Sequence, residues 1–223
     1  MDEVSKPMAT PSGSPRRAFP QSGISRGTLS RSRAFTLLEM LIVLAIAIVL
    51  FSFIAPAVTS ISQGNALTRG GQNITDTLLL AVEEAMTRNR AMEVRLIRIP
   101  SDSGESLAYR GVQVWGAKES SGTFTSLTPI MRLPRGVVIA ESLLLSPLLQ
   151  SPNALSGKVA VNGVERDYTA FVILANGSLK GGQPAQSYLT VLLEKDAGTD
   201  SAPSNYFSIY LNPATGKVRT FRP

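Results

Sequence analysis

The sequence predicts an α+β protein, in which one long N-terminal helix first crosses a membrane and then packs on an antiparallel β-sheet head. Three observations carry that expectation. From Phe35 to Val58 the chain reads FTLLEMLIVLAIAIVLFSFIAPAV, where Glu39 is the sole charge, and no charged residue follows until Arg69. Between Ile74 and Arg90 apolar residues recur at helical spacing. Past Arg90 the period becomes that of strands, in short runs parted by turn residues.

The totals agree with one head. A domain takes about 100 to 150 residues, and the chain has 223. Its 22 Lys and Arg against 16 Asp and Glu give +6. Much of that surplus lies before Phe35, where Lys6, Arg16, Arg17, Arg26, Arg31 and Arg33 face only Asp2 and Glu3. The part expected to fold is therefore close to neutral, which argues against a nucleic-acid-coating surface. With no Cys and no His, disulfides, thiolate nucleophiles, imidazole catalysis and zinc sites built on those residues are excluded. No G-x-S-x-G, P-loop or G-x-G-x-x-G sequence occurs, so neither an enzyme nor a cofactor is expected.

Residues 1–34 are rich in Ser, Pro, Gly and Arg and hold few large apolar side chains. They cannot bury enough surface to offset ordering entropy and are expected to be a disordered basic leader. The arginines before the apolar run, with none just after it, place the N-terminus in the cytoplasm and the head outside. About 20 apolar residues span a bilayer core, so 35–58 is long enough. Over 59–91 an amphipathic helix is expected, with Ile74, Leu78, Val82 and Met86 as its buried stripe and Ala81 and Ala85 beside it. Glu84 and Arg88 stand at i,i+4 in the favourable order, a gain of about 0.3 kcal/mol. Gly64 and the pair Gly70-Gly71 read as breaks.

The head, 92–223, offers six strand candidates: Glu93–Ile99, Tyr109–Trp115, Gly136–Ala140, Thr169–Ala175, Ser187–Glu194 and Asn205–Leu211. Asn176-Gly177 and Thr215-Gly216 supply turns, the first reading as a hairpin signal. Leu143 to Gly157, apolar but broken by Pro147 and Pro152, reads as an irregular covering loop.

At the junction stand Arg33-Ala34, then Phe35-Thr36-Leu37-Leu38-Glu39-Met40, then the apolar run. This resembles the processing site of type IV prepilins and type II secretion pseudopilins. The resemblance implies cleavage by a prepilin peptidase between Ala34 and Phe35, N-methylation of Phe35, a subunit-assembly role for Glu39 as fifth mature residue, and a helix kink at Pro56. Ala34 stands where the family usually has Gly. The resemblance also implies partners: the peptidase, other pilin or pseudopilin subunits, and inner-membrane lipid. Location follows: a single-pass inner-membrane protein with a periplasmic head, or a subunit of a filament. LLLAVEEAMTRNRAMEVRLIRI, FVILANGSLK and YLNPATGKVRTFRP resemble passages of H-type pseudopilins, implying a pilin-like head and a final strand. More narrowly, Arg33-Ala34-Phe35-Thr36-Leu37, Asn89-Arg90, Val94-Arg95, Leu133-Pro134, Asn205-Tyr206-Phe207 and Arg222-Pro223 resemble the Verru_Chthon cassette protein D family.

Glu39 is physically the most informative residue, because a carboxylate inside an apolar helix costs about 2.5 to 3.5 kcal/mol on insertion scales. A cation must compensate it. Cleavage before Phe35 would expose an α-amino group that a docking subunit can bring to Glu39. The other reading places Glu39 at the headgroup boundary, where water and the helix dipole make it tolerable. Ala55-Pro56-Ala57 also fits a signal-peptidase site in part, which would release a soluble protein starting at Val58. An uncleaved signal-anchor is a further alternative.

Arg88, Arg90, Arg95 and Arg98 lie close in sequence, and Arg95 with Arg98 are candidates for nucleic-acid contact in a DNA-binding minor pilin. The expectation is instead a solvated surface, since on a strand Arg95 shares a face with Glu93 and not with Arg98. Trp115 and Tyr109 are expected to pack rather than to stack on bases. Asp102, Glu105, Asp196 and Asp200 are oxygen donors without the spacing of a calcium loop, and no metal site is expected.

Overall fold

The computed structural model describes residues 35–102, 104, 106–117 and 123–223, except for the side chains of 53–59. The leader 1–34, Ala34 and Glu105 with it, lies outside the described residues, as does the bending side chain expected at Pro56. The chain divides into two compact units, 1–47 and 48–223.

Helix α1 runs Leu37–Thr87. Its first turns, Leu37 to Phe51, carry exposed apolar side chains, Leu37 at 79% and Phe51 at 69%. Among the described residues no helix is long and apolar enough to cross a membrane. The sequence carries the apolar run on through Phe53-Ile54-Ala55-Pro56-Ala57-Val58.

In the second unit the buried face of α1 is Leu67, Ile74, Leu78, Ala81 and Ala85. Met86 is 56% exposed, contrary to the stripe read at every fourth residue. A spacing of four turns 400°, so each step drifts about 40° and the third has left the sheet. Val82 is only partly buried, and the Glu84–Arg88 ion pair forms as expected.

The glycines do not break α1. Gly70 and Gly71 are buried, and a Cβ on Gly71 would lie 2.3 Å from the Phe207 ring, one on Gly70 2.8 Å from Val137 Cγ1. They let helix and sheet approach closely. Gly71→Ala is therefore expected to destabilise by about 1–2 kcal/mol, because an overpacking cost near the upper end of about 1–3 kcal/mol outweighs the roughly 1 kcal/mol of helix propensity that alanine regains. Thermal melting of the variant checks this; an unchanged or raised Tm would refute the close approach.

Among the described residues the strands form one ten-stranded antiparallel sheet. They are β1 (Met92–Pro100), β2 (Leu107–Ala117), β3 (Phe124–Ser126), β4 (Met131–Arg132), β5 (Val137–Ile139), β6 (Leu155–Val161), β7 (Val164–Ile173), β8 (Tyr188–Leu193), β9 (Phe207–Leu211) and β10 (Val218–Phe221). Their order is β10-β9-β8-β5-β2-β1-β7-β6, with β3 and β4 on β2. Met92, Val94 and Leu96 of β1, Ile173 of β7, and Leu189 and Val191 of β8 share one core with the buried face of α1. All six strand candidates are present.

Two readings of the head need correction. Leu143 to Gly157 is not wholly a loop: a 3-10 turn, Pro147–Gln150, inserts Leu148 and Leu149 into the core, and Leu155 opens strand β6. The tight hairpin is set by Asn162-Gly163, whose φ values of 52° and 79° join β6 to β7 with Val161 opposite Val164. Both central residues lie in the left-handed region, as a two-residue turn matching strand twist requires. Asn176-Gly177 does turn the chain, with Gly177 N–H donating to Leu174 O at 2.8 Å, but leads only to an isolated Ile173–Leu179 bridge. At Thr215-Gly216 the chain turns between β9 and β10, with Gly216 N–H donating to Asn212 O at 2.8 Å.

Candidate functional site

The site begins just before α1. Thr36 caps the helix: its Oγ1 accepts the Glu39 N–H at 3.1 Å, and its carbonyl accepts the Met40 N–H at 3.2 Å. Thr36-Leu37-Leu38-Glu39 is thus the S/T-x-x-E arrangement that satisfies otherwise orphaned N–H groups. Glu39 is the acidic residue of the first turn, where the positive end of the helix dipole favours a carboxylate. Its surroundings are apolar and open to contact. Phe35, Leu38, Met40, Leu41, Ile42 and Val43 are all more than half exposed. The arrangement offers an anion on an exposed apolar stretch of helix, one turn from the Phe35 backbone nitrogen. The cleavage and methylation expected at Ala34 and Phe35 fall at the edge of the described residues, Ala34 outside them.

Arg95 and Arg98 are not a phosphate-facing stripe, and Arg95 is not on a solvated face either. On the face of β1 away from α1, Arg95 Nε donates to Glu93 Oε1 at 2.6 Å, both residues buried. The guanidinium lies 3.6 Å from the Trp115 ring centroid and 4.3 Å from that of Tyr168. Arg98 pairs with Glu141 and lies 5.0 Å from the Tyr109 ring. Two buried polar atoms nearby, Gln113 Oε1 and Trp115 Nε1, have no partner among the described residues. The faces did separate as the alternation predicted, but the aromatic cover makes this an interior cluster. Tyr109 itself is buried in the main core, its hydroxyl 2.7 Å from Thr169 Oγ1.

Tyr168 borders that cluster through its phenol. Burial chiefly, then the Glu93 charge and hydrogen bonding with Glu93, raise its phenol pKa above 10.0, with Arg95 opposing. A raised pKa means the folded state keeps its proton longer than the unfolded chain. This contribution to stability is complete below pH 10 and is lost as pH rises through the folded-state value. Tyr168→Phe should thus flatten the decline in stability above pH 10. An equally steep decline in denaturant titrations would show that Tyr168 has no share in it.

Arg110 escaped the sequence reading. It is the extra residue of a β-bulge: Ile97 pairs with Gly111 and Arg98 with Tyr109. The bulge shifts the alternation of β2, so that Val112, Val114 and Tyr109 all reach the same core. Arg110 is buried; it donates to Ile99 O at 2.7 Å and Ser106 O at 3.0 Å and pairs with Glu194. The break of alternation at Arg110-Gly111 was the available signal. Of the candidate metal ligands, Asp102 pairs with Arg135 at 3.3 Å and Asp200 accepts from Ser142 at 2.7 Å. No group of three metal-capable side chains forms among the described residues.

Comparison with known proteins adds a family motif. Residues 29–55 match the model of the prokaryotic N-terminal methylation motif. No curated protein matches the chain. Among solved structures, the chain is similar to the minor pseudopilin EpsH from the type 2 secretion system of Vibrio cholerae. That likeness has 14% identity, a TM-score of 0.40 and coverage of 70% of this chain and 97% of the other. It is also similar to the type IV minor pilin FimU of Pseudomonas aeruginosa at 14% identity, TM-score 0.40, covering 71% and 93%.

Proposed function

We propose that the chain is a structural subunit, a minor pilin or pseudopilin, of a type IV pilus or type II secretion-like filament. In this reading a prepilin peptidase cuts between Ala34 and Phe35, the Phe35 amine is methylated, and the segment from Phe35 to Val58 holds the chain in the inner membrane. The head lies on the periplasmic side. The observation that carries the reading is Glu39, a carboxylate in the first turn of a helix whose neighbouring side chains are apolar and exposed. It falls inside the matched methylation motif, at the fifth position after the proposed cut.

The chemistry follows from that position. While the subunit waits in the membrane, the dipole and the Thr36 cap make Glu39 tolerable at the helix start. On assembly the apolar helices pack together, water leaves, and the α-amino cation of a neighbour's Phe35 becomes the counter-charge Glu39 needs. Apolar packing supplies adhesion and the ion pair fixes register. The narrower likeness to Verru_Chthon cassette protein D rests on the sequence passages alone.

Fractionation of cells expressing the chain with a prepilin peptidase tests this. The mature chain should resist carbonate washing of membranes and appear, cross-linked to a pilin, in sheared filaments. A soluble mature head in the periplasm would contradict it.

A further inference from the structure

Within the second unit, a set of cations and apolar side chains gathers where the head meets α1 nearest the apolar run. Arg222 donates to Gly64 O at 3.3 Å and Asn205 Oδ1 at 3.4 Å, and also to Thr68 Oγ1. Beside it Phe221 is 58% exposed and faces the Tyr206 ring at 6.1 Å between centroids. On another side of the helix at the same level, Pro134 joins Ile61, Ser62, Asn65, Ala66 and Arg69 around a shallow cavity. Pro134 also lines a second cavity, of about 320 Å³, with Arg132 and Arg135 and with the carboxylates Asp102 and Glu194, the latter paired with Arg110.

The charges of this end are spent only in part. Arg69, Arg132, Arg135 and Arg222 are all exposed. Among the described residues the acidic side chain paired within the set is Asp102, held 3.3 Å from Arg135, with both partners largely exposed. Among the described residues Arg69 and Arg132 have no carboxylate partner. Ile61, 64% exposed, adds an apolar contact.

We propose that this end of the head is a docking surface for the anionic headgroups of the bilayer that anchors the helix. The inference rests on the membrane-anchored reading above. Gly64, where Arg222 clasps the helix, is six residues past Val58, a rise of about 9 Å. That distance is comparable to the headgroup layer, and electrostatic attraction extends about 8 Å further at physiological salt. Arg69 lies a turn and a half beyond, but helical side chains lean toward the N-terminus, here toward the bilayer. Arginines for lipid phosphates, with Phe221, Tyr206 and Ile61 for the interface, make the mixture that settles at membrane surfaces. The surface would hold the head down before assembly and release it when the subunit leaves the bilayer.

Because the chain has no Cys, Thr220→Cys gives one labelling site beside Phe221. The labelled full-length protein is reconstituted into neutral phosphatidylcholine vesicles, or into vesicles one-third phosphatidylglycerol, each carrying the same density of headgroup-nitroxide lipid. Quenching is expected to rise about twofold in the anionic vesicles and to fall back at high salt. The triple variant Arg69→Gln, Arg132→Gln, Arg135→Gln, which spares the helix clasp of Arg222, should lose that rise. Equal quenching in both vesicles, with the protein floating with each, overturns the docking surface alone. A protein that floats with neither overturns the anchored reading and this proposal with it.

Discussion

A Glu39→Ala chain is expected to be cut before Phe35 and to remain in the membrane, yet to fall more than about tenfold in filament incorporation. Two effects of opposite sign meet at this residue. Removing a carboxylate from an apolar helix favours insertion by about 2.5 to 3.5 kcal/mol. Truncating one partner of a desolvated ion pair costs about 2 to 5 kcal/mol, and each 1.4 kcal/mol is tenfold in an equilibrium. The variant should accumulate in the membrane while assembly suffers, so the ratio of filament to membrane pools is the quantity to measure. Glu39→Gln should be intermediate, since it keeps a hydrogen-bond acceptor without the charge. Were Glu39 merely tolerated through the dipole and its place near the headgroups, both variants would assemble normally.

Glu93→Ala is expected to destabilise the head by about 3 kcal/mol or more. The pair is desolvated, with Glu93 and Arg95 side chains 4% and 10% exposed, and its loss would leave the Arg95 cation between Trp115 and Tyr168 without a counter-charge. Breaking such a pair from one side costs about 3–5 kcal/mol, whereas replacing both partners by apolar residues is often neutral. Denaturant midpoints should therefore place Glu93→Leu/Arg95→Met closer to the parent than Glu93→Ala alone. A single-variant loss under about 1 kcal/mol would mean that water still reaches the pair.

Much of the fold was legible because it is written in period. The alternation in Glu93–Ile99 and the runs Ser187–Glu194 and Asn205–Leu211 became β1, β8 and β9. The helix was legible in kind but not in phase, since a four-residue repeat and a 3.6-residue turn part company by Met86. What stayed hidden depends on partners distant in sequence. Gly70 and Gly71 read locally as breaks, and only Val137 and Phe207, brought against them by the sheet, turn them into points of contact. Strand β6 was masked by Pro147 and Pro152 before it, although Asn162-Gly163 after it carried the turn signal.

The candidate site divides the same way. Glu39 stood out because its cost is local: one charge in an apolar run needs no tertiary context to look wrong. Thr36 as its cap follows the same local logic. Arg95 could be assigned a face but not an environment, because Trp115 and Tyr168 reach it from β2 and β7. Arg110 needed the bulge opposite Ile97 and Arg98, which shows in sequence only as a lapse in alternation.

The most direct measurement is mass spectrometry of the N-terminal peptide of mature chain taken from cells that carry a prepilin peptidase. The expected result is a chain beginning at Phe35 with a methylated α-amine, the cation that Glu39 of a neighbouring subunit would meet. A mature chain that begins at Val58 would contradict it, since the apolar helix and its carboxylate would then have been discarded.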